Sequence, residues 1–225
     1  MKLPLICTIV ALSAGAALAT SGSYRSFLEH SQLSVVQPKS CVAATSQESE
    51  DVTEKYLSNP SFEQDDIQKL SATVVQADGL RGYSTNAPTG WSVSGTTVTS
   101  LIVTADCYTD NNFGKVTTVP DGSQAYYLRQ GWASGSTRLS QKLTGLPAGK
   151  YCLQARVRTG YANSATSAYT LFAGSEKTTG AFERGSAGCF ATMGWELVTL
   201  NFEQTATSDL EVGLTVDWQS GGSQK

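Results

Sequence analysis

Apolar and polar residues alternate with period two over short runs from Ser92 to Trp218, and Gly, Pro, Asn or Asp punctuates most gaps between the runs. The clearest stretch is Pro120 to Arg158. A turn, Pro120-Asp121-Gly122-Ser123, leads into Gln124–Gln130, and a Gly- and Ser-rich turn carrying Trp132 follows. A second run, Thr137–Leu143, ends at Leu146-Pro147-Ala148-Gly149, and a third covers Tyr151–Val157. Alternation bounded by turn residues predicts half-buried antiparallel strands. The same reading predicts strands at Ser92–Val98, Leu101–Cys107, Ser167–Ala173, Trp195–Glu203 and Asp209–Trp218. About eight strands with hairpin-like gaps predict an all-β chain folded as an antiparallel β-sandwich of jelly-roll type. Gln64–Gln76 reads as a short helix or a loop, and Leu33–Val36 as a short strand.

Alternation also sorts side chains by face. Tyr151, Leu153, Ala155 and Val157 share one face of their strand, with Cys152, Gln154, Arg156 and Arg158 on the other. Tyr126 and Leu128 share a face opposite Tyr127 and Arg129. One sheet face therefore carries Tyr127, Arg129, Gln154 and Arg156. An aromatic ring with guanidinium and amide groups suits a sugar; the competing reading is a solvated outer face on which arginine stems cover tyrosine.

The ends of the chain read differently. Met1-Lys2, the apolar run Leu3–Ala16 and Ala17-Leu18-Ala19 form a secretory signal with a small-x-small cleavage site, so residues 1–19 are expected to be removed and the protein exported. No other stretch is apolar enough to cross a membrane. Residues 20–54, rich in Ser, Gln and Glu, read as a linker or loosely docked arm, leaving 55–225 for the sandwich. A net charge of −3, with no basic stripe, argues against nucleic acid as a partner. Cys41, Cys107, Cys152 and Cys189 follow the signal, with three possible pairings or buried thiols as the alternatives. No CxxC or Cys/His cluster points to zinc.

Asn59-Pro60-Ser61-Phe62-Glu63, then Pro88-Thr89-Gly90-Trp91, then Asp121-Gly122-Ser123-Gln124 and Leu146-Pro147-Ala148-Gly149-Lys150-Tyr151 occur in an order and spacing that carry a resemblance. From about Asp51 onward the chain resembles the galactose-binding-like jelly-roll domains common beside glycoside hydrolases of Bacteroidetes. The resemblance implies carbohydrate recognition through aromatic rings and a few polar partners. It makes Trp132, and the loop Asp106–Phe113 with Tyr108, Asn111 and Asn112, candidate ligand contacts beside the Tyr127–Arg156 face. A ring stacks on a pyranose while amides and carboxylates bond its hydroxyls; the other reading of the loop is a set of Asx turns serving its own backbone. Trp91 and Trp195 read as core residues. The resemblance also implies a structural Ca²⁺ held by Glu63, with Asp217 as the substitute for an acid on a later strand. Such domains continue beyond a strand like Asp209–Trp218, so the sandwich is expected to lack its last strand and to belong to a longer protein with a covalently linked catalytic domain.

Catalytic chemistry is thinly provided. His30 is the only histidine and falls in the 20–54 segment, which excludes Ser-His-Asp and Cys-His arrangements from the sandwich. Glu63 with Asp65 or Asp66 is the carboxylate pair that could serve a glycosidase. The expectation is a non-catalytic carbohydrate-binding accessory module acting on a glycan or polysaccharide. A structural or protein-interaction sandwich and a glycosidase are the alternatives.

Overall fold

The computed structural model describes residues 32–35, 50–75, 80–96, 99–104, 119–129, 134–157, 166–181 and 195–219. Twelve strands are assigned among them: β1 (Gln32–Val35), β2 (Ala72–Val75), β3 (Leu80–Ser84), β4 (Ser92–Gly95), β5 (Thr99–Thr104), β6 (Gln124–Arg129), β7 (Gly135–Leu146), β8 (Gly149–Val157), β9 (Thr166–Ala173), β10 (Glu176–Ala181), β11 (Glu196–Gln204) and β12 (Ser208–Gln219). Among the described residues, helix is limited to single turns at Thr53–Tyr56 and Ile67–Lys69.

The protein is an all-β antiparallel sandwich. One layer is a five-stranded sheet in the order β10-β9-β12-β7-β4. Facing it are a three-stranded sheet, β1-β8-β11, and a four-stranded sheet, β2-β3-β5-β6. The main core joins Leu139 and Leu143 of β7, Leu171 of β9 and Leu214 of β12 to Leu153 of β8, Leu200 of β11 and Ile102 of β5. Alternation produces this directly: Tyr151, Leu153, Ala155 and Val157 all point into that core. β12 has a hydrogen-bonded partner on each side, β7 along Ser208–Trp218 and β9 along Val212–Gln219. It is a central strand of its sheet.

Each strand predicted from Ser92 onward is present, with ends shifted by up to three residues. Three strands escaped prediction. β10 has only exposed and half-exposed positions, so it carries no apolar alternation. β2 and β3 lie where the sequence offered a helix or loop and a turn-rich stretch. β1 falls at the short strand read at Leu33–Val36 and pairs with β8, Gln32 opposite Arg156 and Val35 opposite Leu153.

Candidate functional site

Two regions concentrate polar chemistry, and they are built differently. The first is the segment Asn59–Glu63. Asn59 and Phe62 both have positive φ, 52° and 64°, so the backbone folds tightly over itself here. Phe62 is fully buried, with its ring 6.0 Å from Trp91 and 5.8 Å from Tyr126. Asn59 Nδ2 donates to Asp65 Oδ2 at 2.7 Å and to the Thr89 carbonyl at 3.0 Å, and its Oδ1 accepts from the Gln64 amide at 2.9 Å. The Trp91 indole donates to the Asn59 carbonyl at 3.0 Å. Asp65 Oδ1 accepts from the Thr89 amide at 2.9 Å and the Thr89 hydroxyl at 3.0 Å. Gln141, pointing inward from β7, closes the set: its Oε1 accepts from the Ser58 amide at 2.6 Å, and its Nε2 donates to the carbonyls of Ser58 and Gly90 at 2.9 Å. The motif that carried the family resemblance is thus a structural lock joining the start of the sandwich to the Pro88–Trp91 turn.

Glu63 extends the lock to a second turn. Its Oε1 accepts from the Ser123 amide at 2.7 Å and the Gln124 amide at 2.6 Å, and its Oε2 accepts from the Ser123 hydroxyl at 2.8 Å. Gly122, at φ 67°, permits the approach, since a Cβ there would collide with Glu63 Oε1. Asp121 beside it is buried, and its carboxyl is pushed up to about 6 by that burial and by the negative charges of Glu63 and Glu54, against a weaker attraction from Arg156. The donor set does not fit the calcium ion implied by the resemblance. Ca²⁺ takes six to eight oxygen ligands, whereas both Glu63 oxygens accept from the Ser123–Gln124 turn. Asp217 lies on β12 opposite Ser136 and Ala168, in the facing layer. Among the described residues, no group of three or more His, Cys, Asp or Glu could hold a metal ion.

The residues of the expected Tyr127 face are divided between two sheets, β6 carrying Tyr127 and Arg129 and β8 carrying Gln154 and Arg156. Tyr127 is half-buried and packs on a small second core of Leu101, Val103 and Ala125, joined by Trp195. Gln154 is only 4% exposed, and its Nε2 donates to the buried Cys152 sulfur at 3.9 Å. Arg156 is half-buried, and desolvation lowers its pKa against the attraction of Asp121. With Tyr127 in the four-stranded sheet and Gln154 and Arg156 in the three-stranded one, the expected single sheet face is not formed, and the amide that was expected to meet a ligand is buried. Arg129 is placed by its backbone opposite Thr99. Trp132, Tyr108, Asn111 and Asn112 lie outside the described residues, as do Cys41, Cys107 and Cys189.

The second polar region is a hollow of about 460 Å³ that opens to solvent between the ends of β3, β4 and β5. Ser84, Thr85 and Asn86 form one wall, Val93 to Thr96 another, and Thr99 with Ser100 the third. Its frame is hydrogen-bonded. The Thr96 amide donates to the Ser136 carbonyl at 2.7 Å, the Ser136 amide to Thr96 Oγ1 at 3.0 Å, and the Thr137 hydroxyl to the Thr96 carbonyl at 2.9 Å. The Thr85 amide donates to the Ser100 carbonyl at 3.2 Å, and its hydroxyl to the Ala87 carbonyl at 2.7 Å. Gly95, at φ 101°, is required, because a Cβ would collide with the Ser136 carbonyl oxygen. Asn86, Ser94 and Thr99 are exposed at the mouth. Tyr126, 2% exposed, belongs to the main core.

Residues that line the hollow are met by described residues that flank, in sequence, the connection holding Trp132. Arg129, the last described residue before it, pairs with Thr99, and Gly135 after it packs on Thr96. Sequence reasoning missed Asn86, Ser94, Thr96 and Thr99. The available signal was the hydroxyl-rich run Ser92–Ser100, most of which reads only as the strand Ser92–Val98.

No protein-family model and no curated protein matches this chain. Among solved structures, the chain is similar to TmCBM61 in complex with beta-1,4-galactotriose, at 18% identity and a TM-score of 0.42, over 67% of this chain and 91% of that one.

Proposed function

We propose that this protein is an exported, non-catalytic carbohydrate-binding β-sandwich whose glycan contacts centre on the hollow between β3, β4 and β5. The observation that carries this reading is the hollow itself. It is a hydrogen-bonded cup within the ~300–1,000 Å³ range of small-ligand sites, and hydroxyl and amide side chains converge on it. Each Ser, Thr or Asn group can both donate and accept, as a sugar hydroxyl does. Trp132, between β6 and β7 in sequence, is retained as the candidate stacking ring, and Arg129 as a candidate contact. Tyr108, Asn111 and Asn112 are retained as outer contacts, and Tyr127, Gln154 and Arg156 as the competing surface. A module of this kind serves by holding an attached hydrolase near its polysaccharide.

The non-catalytic part of the reading is supported by what the acids do. Glu63 and Asp65, the pair considered for glycoside hydrolysis, accept hydrogen bonds from turn amides and from Asn59. Asp66 caps the Ile67–Lys69 turn through the Gln68 amide and pairs with Lys69 at 2.8 Å. A protein-docking role calls for a continuous apolar patch; among the described residues, Leu197 is the one exposed large hydrophobic.

Affinity gel electrophoresis tests the proposal. The protein is expected to be retarded by at least one polysaccharide, and Trp132→Ala and Asn86→Ala to abolish the retardation. Free migration on plant, mucin and microbial glycans alike would refute it.

A further inference from the structure

We infer that the Asp121–Gly122 bond is a modification site, at which the folded chain converts slowly to isoaspartate, and that the Glu63 clamp on the following turn sets the rate. Two Asp-Gly pairs occur in the chain, Asp78-Gly79 and Asp121-Gly122. Glycine after aspartate leaves the backbone nitrogen unhindered, because it has no Cβ. The reaction needs no partner but water. The Gly122 nitrogen attacks Asp121 Cγ, its proton passes to solvent, and the carboxyl hydroxyl leaves as water, which closes a five-membered succinimide. Water then adds to one of the two ring carbonyls. Opening at Cγ restores aspartate. Opening at the Asp121 main-chain carbonyl carbon leaves Gly122 bonded to Cγ, which is isoaspartate.

The local structure prepares both reacting groups. The Gly122 amide donates a hydrogen bond to the Asp121 carboxyl, which keeps the nitrogen beside the carbon it attacks. A carboxyl loses its hydroxyl as water only when protonated. Burial of Asp121 and the negative charges of Glu63 and of Glu54 on the Thr53–Tyr56 turn raise its pKa from 3.8 to about 6, against a weaker pull from Arg156 of β8.

Backbone freedom is what the fold withholds. Ring closure turns the backbone at Asp121 and Gly122, and the next two amides are pinned. Those of Ser123 and Gln124 donate to Glu63 Oε1 at 2.7 and 2.6 Å, and the Ser123 hydroxyl donates to Oε2 at 2.8 Å. Gly122 itself lies so close that a Cβ would meet Glu63 Oε1 at 2.4 Å. The attack therefore waits for local opening of the clamp. Isoaspartate adds one methylene to the main chain at residue 121. That shift carries Ser123 and Gln124 off Glu63 and unties the start of β6.

The test follows isoaspartate at residues 78 and 121 by peptide mapping during prolonged incubation. The samples are the full chain, its Glu63→Ala and Ser123→Ala variants, and a synthetic peptide of residues 117–127 as the unrestrained reference. The unmodified protein is expected to convert at 121 about tenfold more slowly than the peptide, and Glu63→Ala to recover most of that factor. Removing the Glu63 charge lowers the Asp121 pKa and by itself slows the reaction, so acceleration reads the clamp. Ser123→Ala, which deletes one clamp bond and no charge, is expected to accelerate conversion about threefold. The rate at Asp78 should be the same in all three proteins. Melting curves establish that each variant is folded during incubation; if Glu63→Ala is not, Ser123→Ala and the comparison of unmodified protein with peptide decide. Conversion at 121 as fast in the unmodified protein as in the peptide, no acceleration in the folded variants, or no isoaspartate at 121 in any of the proteins overturns the inference.

Discussion

The Asn59–Glu63 lock and the β3–β4–β5 hollow are both rich in amides and hydroxyls, yet their polar groups face opposite ways. In the lock, Asn59, Asp65, Glu63 and Gln141 point at the protein's own backbone, and Asn59 is only 2% exposed. In the hollow, the inner groups build the frame, while Asn86, Ser94 and Thr99 stand exposed at the mouth. Polar density alone therefore does not mark a binding site. The direction of the hydrogen bonds does, because a buried polar group without a partner is costly and a solvated one is not.

Substitutions break this comparison most strongly on the lock side. Asn59→Ala removes three hydrogen bonds from a buried residue and leaves Asp65 short of a donor. It is expected to lower stability by about 3 kcal/mol in chemical denaturation. Glu63→Ala strips the Ser123 and Gln124 amides of their acceptor and is expected to cost about 1–2 kcal/mol, discounted because the clamp is partly solvated. A loss within ~0.5 kcal/mol for either variant would mean that the lock does not hold the sandwich together.

Asp121 sharpens the comparison through pH. Its folded carboxyl, at about 6, lies above its ordinary value of 3.8, so its contribution to stability is fully present below about pH 4 and is lost as pH rises through 6. Asp121→Asn is expected to raise stability at pH 7 by on the order of 1 kcal/mol after allowance for screening. The difference from the unmodified protein should vanish near pH 4. Denaturation at both pH values checks this, and the opposite slope would show that Arg156, not burial and Glu63, dominates the site.

The hollow should respond in the reverse sense to the lock. Asn86→Ala and Ser94→Ala are expected to change stability by less than ~0.5 kcal/mol while weakening glycan binding about tenfold, which corresponds to ~1.4 kcal/mol. Smallest of all is the expected effect of calcium. Since the Glu63 oxygens are engaged by the Ser123–Gln124 turn, thermal melts in excess Ca²⁺ and in chelator should agree within about 1 °C, because a ligand that binds the native state raises the midpoint by mass action. A clear rise with Ca²⁺ would show that the Glu63, Asp121 and Glu54 carboxylates gather a cation.

The sandwich was legible in the sequence wherever one strand face is apolar. β8 is the plain case, its Tyr151, Leu153, Ala155 and Val157 all reaching the core. β10, exposed along its length, gave no such signal and is held by its ladder to β9. β5 was also read as a strand, but which face meets which core was not legible: Ile102 enters the main core while Leu101 and Val103 build the second one, so both faces are buried. The Tyr127 face was hard to read because its residues come from strands of two different sheets. Alternation placed Gln154 correctly on the far side of the sheet, but Cys152 and Gln154 are covered there. The hollow was the least legible feature, because its walls come from three separate strand ends and the cup exists only once Thr96 and Thr85 are bonded to Ser136 and Ser100.

The central claim is that the glycan meets the hollow and not the lock or the Tyr127 face. Amide chemical-shift mapping during titration with the polysaccharide fragment that best retards the protein tests it most directly. The account predicts the largest shifts at Ser84–Asn86, Ser94–Thr96 and Thr99–Ser100. Shifts concentrated at Tyr127, Gln154 and Arg156, with the hollow unchanged, would contradict it.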